Sequence, residues 1–264
     1  MRTNCHSHLW LLSGTGDGPP LAKAFISSGW KVSVSVVSAQ AALSYSDIPL
    51  QSLWIGALEG PEGIRKVLEK TKALDYGFDL VIDATHPFAN VISSNLETVC
   101  LELNQPVIRF ERICKTIKEA ILIQNFEELK GFNLAGQKLL LAIGSRFLPE
   151  AIHYCRRAGA IVFARVLPTV EGLSKALLCD LPQDHLAVLR PLKGALIGEY
   201  EAALCRKWGI TGLVSRQSGG ATQKLWQKIA QEQGLDLWLL ARPTKIQNII
   251  TFNSPSELFD YILK

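Results

Sequence analysis

Short apolar runs alternate with longer amphipathic segments along almost the whole chain, and that rhythm constrains the fold more than any motif. Strands covered on both faces read as nearly unbroken apolar runs, and the segments between them have the length of crossover helices. The strongest runs are Leu9 to Ser13, Lys31 to Val37, Leu80 to Asp83, Pro106 to Phe110, Lys138 to Ile143, Ala160 to Arg165, Gly212 to Ser215 and Leu237 to Leu240. Shorter strands are expected near Leu53 and Trp54 and near Leu186 to Leu189. Helices are expected at Pro19 to Ser28, stopped by Gly29, at Pro61 to Leu74, through Leu103, through Arg157 and at Val170 to Leu178. Further helices are expected at Gly194 to Cys205, at Ala221 to Gln233, and after a Ser254 cap. The expected class is α/β: two Rossmann-like parallel-sheet domains, residues 1–133 and 134–264, joined near 131–137, with strand ends facing a cleft between them.

Composition excludes several other classes. The 264 residues are enough for two small cores, and 48% hydrophobic with 20% charged residues is incompatible with global disorder. The 28 basic and 24 acidic residues leave only +4, spread along the chain, which argues against a nucleic-acid partner. Six cysteines, at positions 5, 100, 114, 155, 179 and 205, form neither a CxxC pair nor a dense framework, so they read as reduced thiols. The apolar run Leu9 to Leu12 is too short for a secretory core, and no stretch approaches the roughly 18 apolar residues of a membrane helix. The expected location is the cytoplasm.

Four loops carry polar residues at strand ends. SGTGDG, Ser13 to Gly18, joins a buried strand to a helix, where backbone N–H groups and the helix dipole favour an anion; a tight turn needing glycine for its backbone alone is the other reading. It is not a full GxGxxG, because Pro19 takes the third glycine's place. No acid follows the second strand, where Val36, Val37 and Ser38 stand, so the usual clamp on a ribose 2′-hydroxyl is missing and NADP is favoured over NAD. DATHPFA, Asp83 to Ala89, puts Thr85, His86 and Pro87 at a strand's carboxyl end, with His86 either functional or bonded within its own turn. RFERICK offers Arg109, Arg112 and Lys115 as carboxylate holders or as a solvated basic edge. VSRQSGGATQKL repeats the strand, glycine loop and helix order, with Ser218, Gly219 and Gly220 presenting N–H groups and Lys224 one turn inside the helix, or else simply starting a helix.

Other chemistries lack a foothold. There is no Walker loop, GxSxG elbow or HExxH pair. Cys5, His6 and His8 sit near the terminus without a fourth ligand, so no metal is assigned. A short-chain dehydrogenase is disfavoured because no tyrosine has a lysine four residues on.

In order, GTGDG, DATHPFA, RFER, GEYE at Gly198 to Glu201, VSRQSGG with Lys224, and ARP at Ala241 to Pro243 resemble the precorrin-6A reductase family of cobalamin biosynthesis. The likeness spans roughly residues 9 to 243, and DATHPFA followed by RFER is its specific part. Departures are Ser13 and Asp17 in a loop that usually reads GGTxE, Pro19 and Pro20 opening the next helix, and Ser215, Arg216 and Gln217 where TKxSGG is usual. The resemblance implies two Rossmann-like domains and NADPH-dependent reduction of a macrocycle double bond, giving precorrin-6B, with or without cobalt. It implies cofactor contacts from Gly14, Thr15, Gly16, Asp17, Thr85, Ser215, Ser218, Gly219, Gly220 and Lys224. His86 or a bound water would donate the proton, and Pro87, Phe88, Arg109, Arg112 and Arg216 would meet the polycarboxylate substrate. The alternative is a non-catalytic tetrapyrrole or nucleotide carrier using the same cleft. Either protein would act as a monomer or small homo-oligomer without membrane or nucleic-acid partners.

Overall fold

A central parallel strand must be apolar on both faces, and His8–Ser13 (β1), with every residue buried, is such a strand. The computed structural model describes residues 7–74, 76–115, 117–190, 196–243 and 248–263. β1 is followed by Gly18–Ser27 (α1), Lys31–Val36 (β2), the single turn Ala39–Ala42 (α2), Ser52–Ile55 (β3), Gly60–Ala73 (α3), Leu80–Ala84 (β4), Asn90–Glu102 (α4) and Val107–Phe110 (β5). Then come Ile121–Ile123 (β6), Lys138–Leu141 (β7), Leu148–Arg157 (α5), Ile161–Val166 (β8), Val170–Leu177 (α6), Leu186–Val188 (β9), Glu199–Trp208 (α7), Gly212–Arg216 (β10), Ala221–Gln233 (α8) and Asp236–Leu240 (β11). Ile250–Phe252 (β12) and Pro255–Ile262 (α9) close the chain. The helix expected from Gly194 is described from Glu199; positions 194 and 195 lie outside the described residues.

Two six-stranded sheets result, ordered β12-β5-β4-β1-β2-β3 and β6-β11-β10-β7-β8-β9, and every pairing within them is parallel. Each has the doubly wound order, with its switch point between β1 and β4 or between β7 and β10. The sixth strand of each sheet comes from across the chain: β6 follows β5 in sequence yet pairs with β11, and β12 follows β11 yet pairs with β5.

That exchange corrects the expected division at residue 133. The units are Met1–Ile113 with Pro243–Lys264, and Cys114–Arg242. Leu134, in the stretch expected to join the domains, is buried in the second unit, as are Phe126 and Leu129 just before it. α9 returns to the first unit, where Leu258 and Ile262 join its core and Phe259 packs on Phe25, with ring centroids 4.5 Å apart. Both exchanged strands are three-residue edges, too short to stand out as apolar runs.

In the first unit both faces of the sheet are covered. Leu9 and Leu11 face α1 and α9, whereas Trp10 and Leu12 face α3 and α4. The second unit packs Leu140, Phe163, Leu213, Leu237 and Leu239 under α7 and α8. The five described cysteines, Cys100, Cys114, Cys155, Cys179 and Cys205, are thiols, and among the described residues no helix is long and apolar enough to cross a membrane.

The polar residues of β1 and β2 are paired inside this core. Trp10 Nε1 donates to Ser35 Oγ at 2.9 Å, and the two His8 ring nitrogens lie 2.8 Å from Tyr76 O and from Ser33 Oγ. A carbonyl accepts only, so Nδ1 carries the proton and Ser33 donates to Nε2. Burial holds the His8 pKa below its usual 6.5, against the pull of the Tyr76 hydrogen bond and Asp79. The folded chain therefore binds fewer protons here than the unfolded one, and this contribution is complete above pH 6.5 and lost as pH falls below it. The urea midpoint should fall between about pH 7.5 and about pH 5.5, and His8→Gln should flatten that slope; an unchanged slope in the variant would assign the pH dependence elsewhere.

Candidate functional site

The first switch point brings together two motifs that are about 70 residues apart in sequence. Gly14, directly after β1, donates its N–H to Ala84 O at the end of β4, at 3.3 Å. A Cβ on Gly14 would lie 2.8 Å from His86 N and 3.2 Å from Thr85 Cα, so the approach of the two loops requires glycine. Gly16 has no such internal reason: a Cβ there would meet nothing within 4 Å. It borders a cleft of about 360 Å³, lined on one side by Ser13, Gly14 and Thr15 and on the other by Val36, Val37 and Ser38. This is the place at which a doubly wound sheet holds a dinucleotide, and the glycine-lined side leaves room for one.

Asp17, the residue before α1, is tied down on two sides. Its carboxylate accepts from Thr15 Oγ1 at 2.9 Å and pairs with Arg112 Nε at 3.1 Å. The pairing offsets a negative charge that would otherwise oppose an anion at the start of α1. It also sets Arg112, expected on the substrate rim, against a residue expected to hold cofactor.

DATHPFA and RFER form one buried network. Asp83, fully buried, accepts from Thr85 N at 3.0 Å and Thr85 Oγ1 at 2.7 Å through one oxygen, and from Arg109 Nη1 through the other. Arg109 also donates to Ser93 Oγ at 2.7 Å and to Glu111 Oε2 at 3.1 Å. Arg109 is 5% exposed, which corrects its expected place on a substrate rim: its charge is spent on Asp83 and Glu111. Pro87 and Phe88 are buried as well, with Phe88 5% exposed, so they do not offer the open contact surface expected of them. His86 keeps partial exposure. Its Nδ1 accepts from Phe88 N at 3.2 Å, which leaves the proton of the neutral ring on Nε2.

In the second unit the expected anion loop is differently employed. Ser218 N donates to Arg216 O at 2.7 Å, and Gly219 N donates to Gln223 Oε1, also at 2.7 Å. Those two N–H groups are engaged within the chain, whereas the expectation had them presented to an anion. Gln223 itself is buried; it and Gln227 hold Lys115 O, each at 3.3 Å. Ser215 is buried within β10, the Gly220 carbonyl accepts from Lys224 N at 3.1 Å, and the Lys224 side chain is exposed in the first turn of α8.

What the second switch point does present is positive charge. Arg216, at the end of β10, and Arg146, after β7 and Gly144, stack their guanidinium groups on the Phe147 ring at 5.5 and 4.7 Å. Burial, with Arg146 adding repulsion, brings the Arg216 pKa down to about 10. Arg146 escaped the sequence reading; its signal was position, since it follows Gly144 as the first glycine loop follows β1. A second missed residue is Arg165 on β8. It lies 3.5 Å from the fully buried Glu201 of GEYE, and burial lowers its pKa against the pull of that carboxylate. Among the described residues no group of three or more His, Cys, Asp or Glu is gathered to hold a metal; Cys5 and His6 lie outside them.

Two doubly wound sheets, one with a glycine-lined cleft between the ends of β1 and β2, beside its switch point, and one with paired arginines at its switch point, define a two-unit Rossmann-like α/β protein. The chain belongs to the precorrin-6x reductase CbiJ/CobK family, whose model matches residues 8–262. It is 32% identical over 250 residues to a cobalt-precorrin-6A reductase of Synechocystis, covering 92% of this chain and 91% of that protein. It is 28% identical over 235 residues to a precorrin-6A reductase of Mycobacterium tuberculosis, covering 88% of each. Its fold matches a solved structure described as CobK precorrin-6A reductase with a TM-score of 0.73 at 22% identity, over 97% of this chain and 96% of that one.

Removing one partner of a buried ion pair strands the other's charge, at a cost of about 3–5 kcal/mol. Arg109→Ala should lose stability of that order in urea titration. A loss below about 1 kcal/mol, the size found for exposed pairs, would return Arg109 to the surface.

Proposed function

We propose that this chain binds NADPH on its first unit and reduces a double bond of precorrin-6A, or of its cobalt form, to give precorrin-6B or the cobalt counterpart. The observation that carries the cofactor half is the cleft beside the Gly14–Gly18 loop. Gly14 and Gly16 leave its wall without side chains, and Val36, Val37 and Ser38 stand where NAD-type sites place a carboxylate. A 2′-phosphate would meet no negative charge from those residues. When bound, NADPH supplies a hydride equivalent. Thr15 and Gly16 would hold its diphosphate through backbone N–H groups, Gly14 would give it room with Thr85 close by, and Asp17 would keep Arg112 in place rather than touch phosphate.

The substrate half rests on charge. A ring bearing many acetate and propionate groups needs cations on an apolar support, and Arg146 and Arg216 on Phe147 supply that combination, with exposed Lys224 as a further cation. Their mutual repulsion is relieved when a carboxylate binds, so the pair favours anionic ligands before any contact is made. Peripheral carboxylates would be held alike with or without central cobalt. The reaction so read belongs in the cytoplasm.

Saturating a carbon–carbon double bond takes one hydride and one proton. His86 would give the proton, a reading supported by its partial exposure and by a loop clamped through the Asp83–Thr85 hydrogen bonds. An anaerobic assay with NADPH or NADH and both substrate forms tests the proposal. NADPH should be consumed in step with substrate, and His86→Ala should lower turnover at least about tenfold while NADPH affinity is kept. Binding of pigment without consumption of reductant would make the protein a carrier, and near-normal turnover of the variant would remove His86 as donor.

A further inference from the structure

Tyr45 is a residue that neither the motifs nor the resemblance singled out. It ends the short 3-10 turn Leu43–Tyr45 that follows α2, and its ring is part of the first unit's core, 3% exposed. Its hydroxyl is buried and makes no hydrogen bond within the described residues. Burial pushes its pKa up to about 12, opposed by a weak polar contact with the Ser13 hydroxyl that falls short of a full hydrogen bond. Ser13 and Tyr45 crowd the same spot: a Cβ on Gly18 would come within 2.0 Å of Ser13 Oγ and 2.1 Å of Tyr45 Oη. The first residue of α1 therefore has no side chain because two hydroxyls occupy its space.

A buried hydroxyl without a partner is costly, and phenylalanine would fill the same volume without that cost. The missing partner has a place to sit. Tyr45 and Ser13 both line the cleft assigned above to the dinucleotide, at the base of the glycine loop. The lining contains Thr15, Ser38 and Ser44 but no charged side chain, so a ligand there is gripped by hydroxyl and backbone donors alone. We propose that the Tyr45 hydroxyl donates a hydrogen bond to an oxygen of the dinucleotide's diphosphate–ribose backbone, making Tyr45 a binding residue of that site.

This rests on the cofactor reading above, and the experiment separates the two. Wild type and Tyr45→Phe are titrated calorimetrically with NADP+ and NAD+, and the thermal midpoint of each protein is recorded with and without ligand. Wild type should bind, and Tyr45→Phe should bind both dinucleotides about tenfold more weakly, since the contact lies on the part they share. Without ligand the variant should melt no lower than wild type, because the buried hydroxyl removed makes no full hydrogen bond within the protein. Equal affinities in the two proteins, a lower midpoint of the unliganded variant, or a loss confined to NADP+ would each overturn the assignment. Failure of wild type to bind either dinucleotide would overturn the cofactor reading itself.

Discussion

A carboxylate withdrawn from water must be met by donors, and the first unit is arranged around meeting that need for Asp83. Arg109 reaches it from β5, Thr85 folds back onto it from the loop after β4, and Ser93 on α4 ties both groups in place. Glu111 completes the charge balance on the other side of the guanidinium. Because such a pair is stabilising only when its hydrogen bonds are satisfied, the loop that carries His86 has little freedom to take another shape. The Gly14 turn is then seated against that loop, its glycine required by the closeness of Thr85 and His86. Residues that looked like ligand contacts in the sequence thus hold the stage on which ligand contacts are made.

The exchange of edge strands gives the same region a second constraint. Thr251 of β12 lies in register with Arg109, and Phe252 O accepts from Glu111 N at 2.9 Å, so the last strand of the first sheet covers the very stretch that carries the ion network. The second sheet mirrors this with Ile123 O accepting from Ala241 N at 2.8 Å. The first unit is therefore built from both ends of the chain, Met1–Ile113 and Pro243–Lys264, and the second is the continuous stretch Cys114–Arg242 between them. The buried Gln223 and Gln227 serve the same end by holding Lys115, where the chain enters the second unit.

Legibility followed the kind of signal involved. Strands buried on both faces, such as Leu9 to Ser13 and Leu237 to Leu240, announced themselves, and α8 was found with its observed ends. β6 and β12 did not, since a three-residue edge strand is specified by the backbone beside it and not by its own side chains. The domain boundary was misplaced for the same reason. The glycine loop and the histidine loop follow β1 and β4 at the strand ends where the sequence put them. The burial of Arg109 was not legible, because a guanidinium bound to buried acids and one facing solvent have the same letter in a sequence. Arg146 and Tyr45 carried no motif at all.

The order of apolar runs and the glycines at strand ends were enough, without coordinates, to establish a parallel α/β chain, because periodicity and turn chemistry are local properties; the family was legible only through the resemblance of its motifs. Which carboxylate meets which guanidinium, which N–H groups are already spoken for, and which sheet each edge strand completes depended on residues tens to more than a hundred positions apart. Only tertiary structure decides such matters, since hydrogen bonding and desolvation act through space and take no account of distance along the chain.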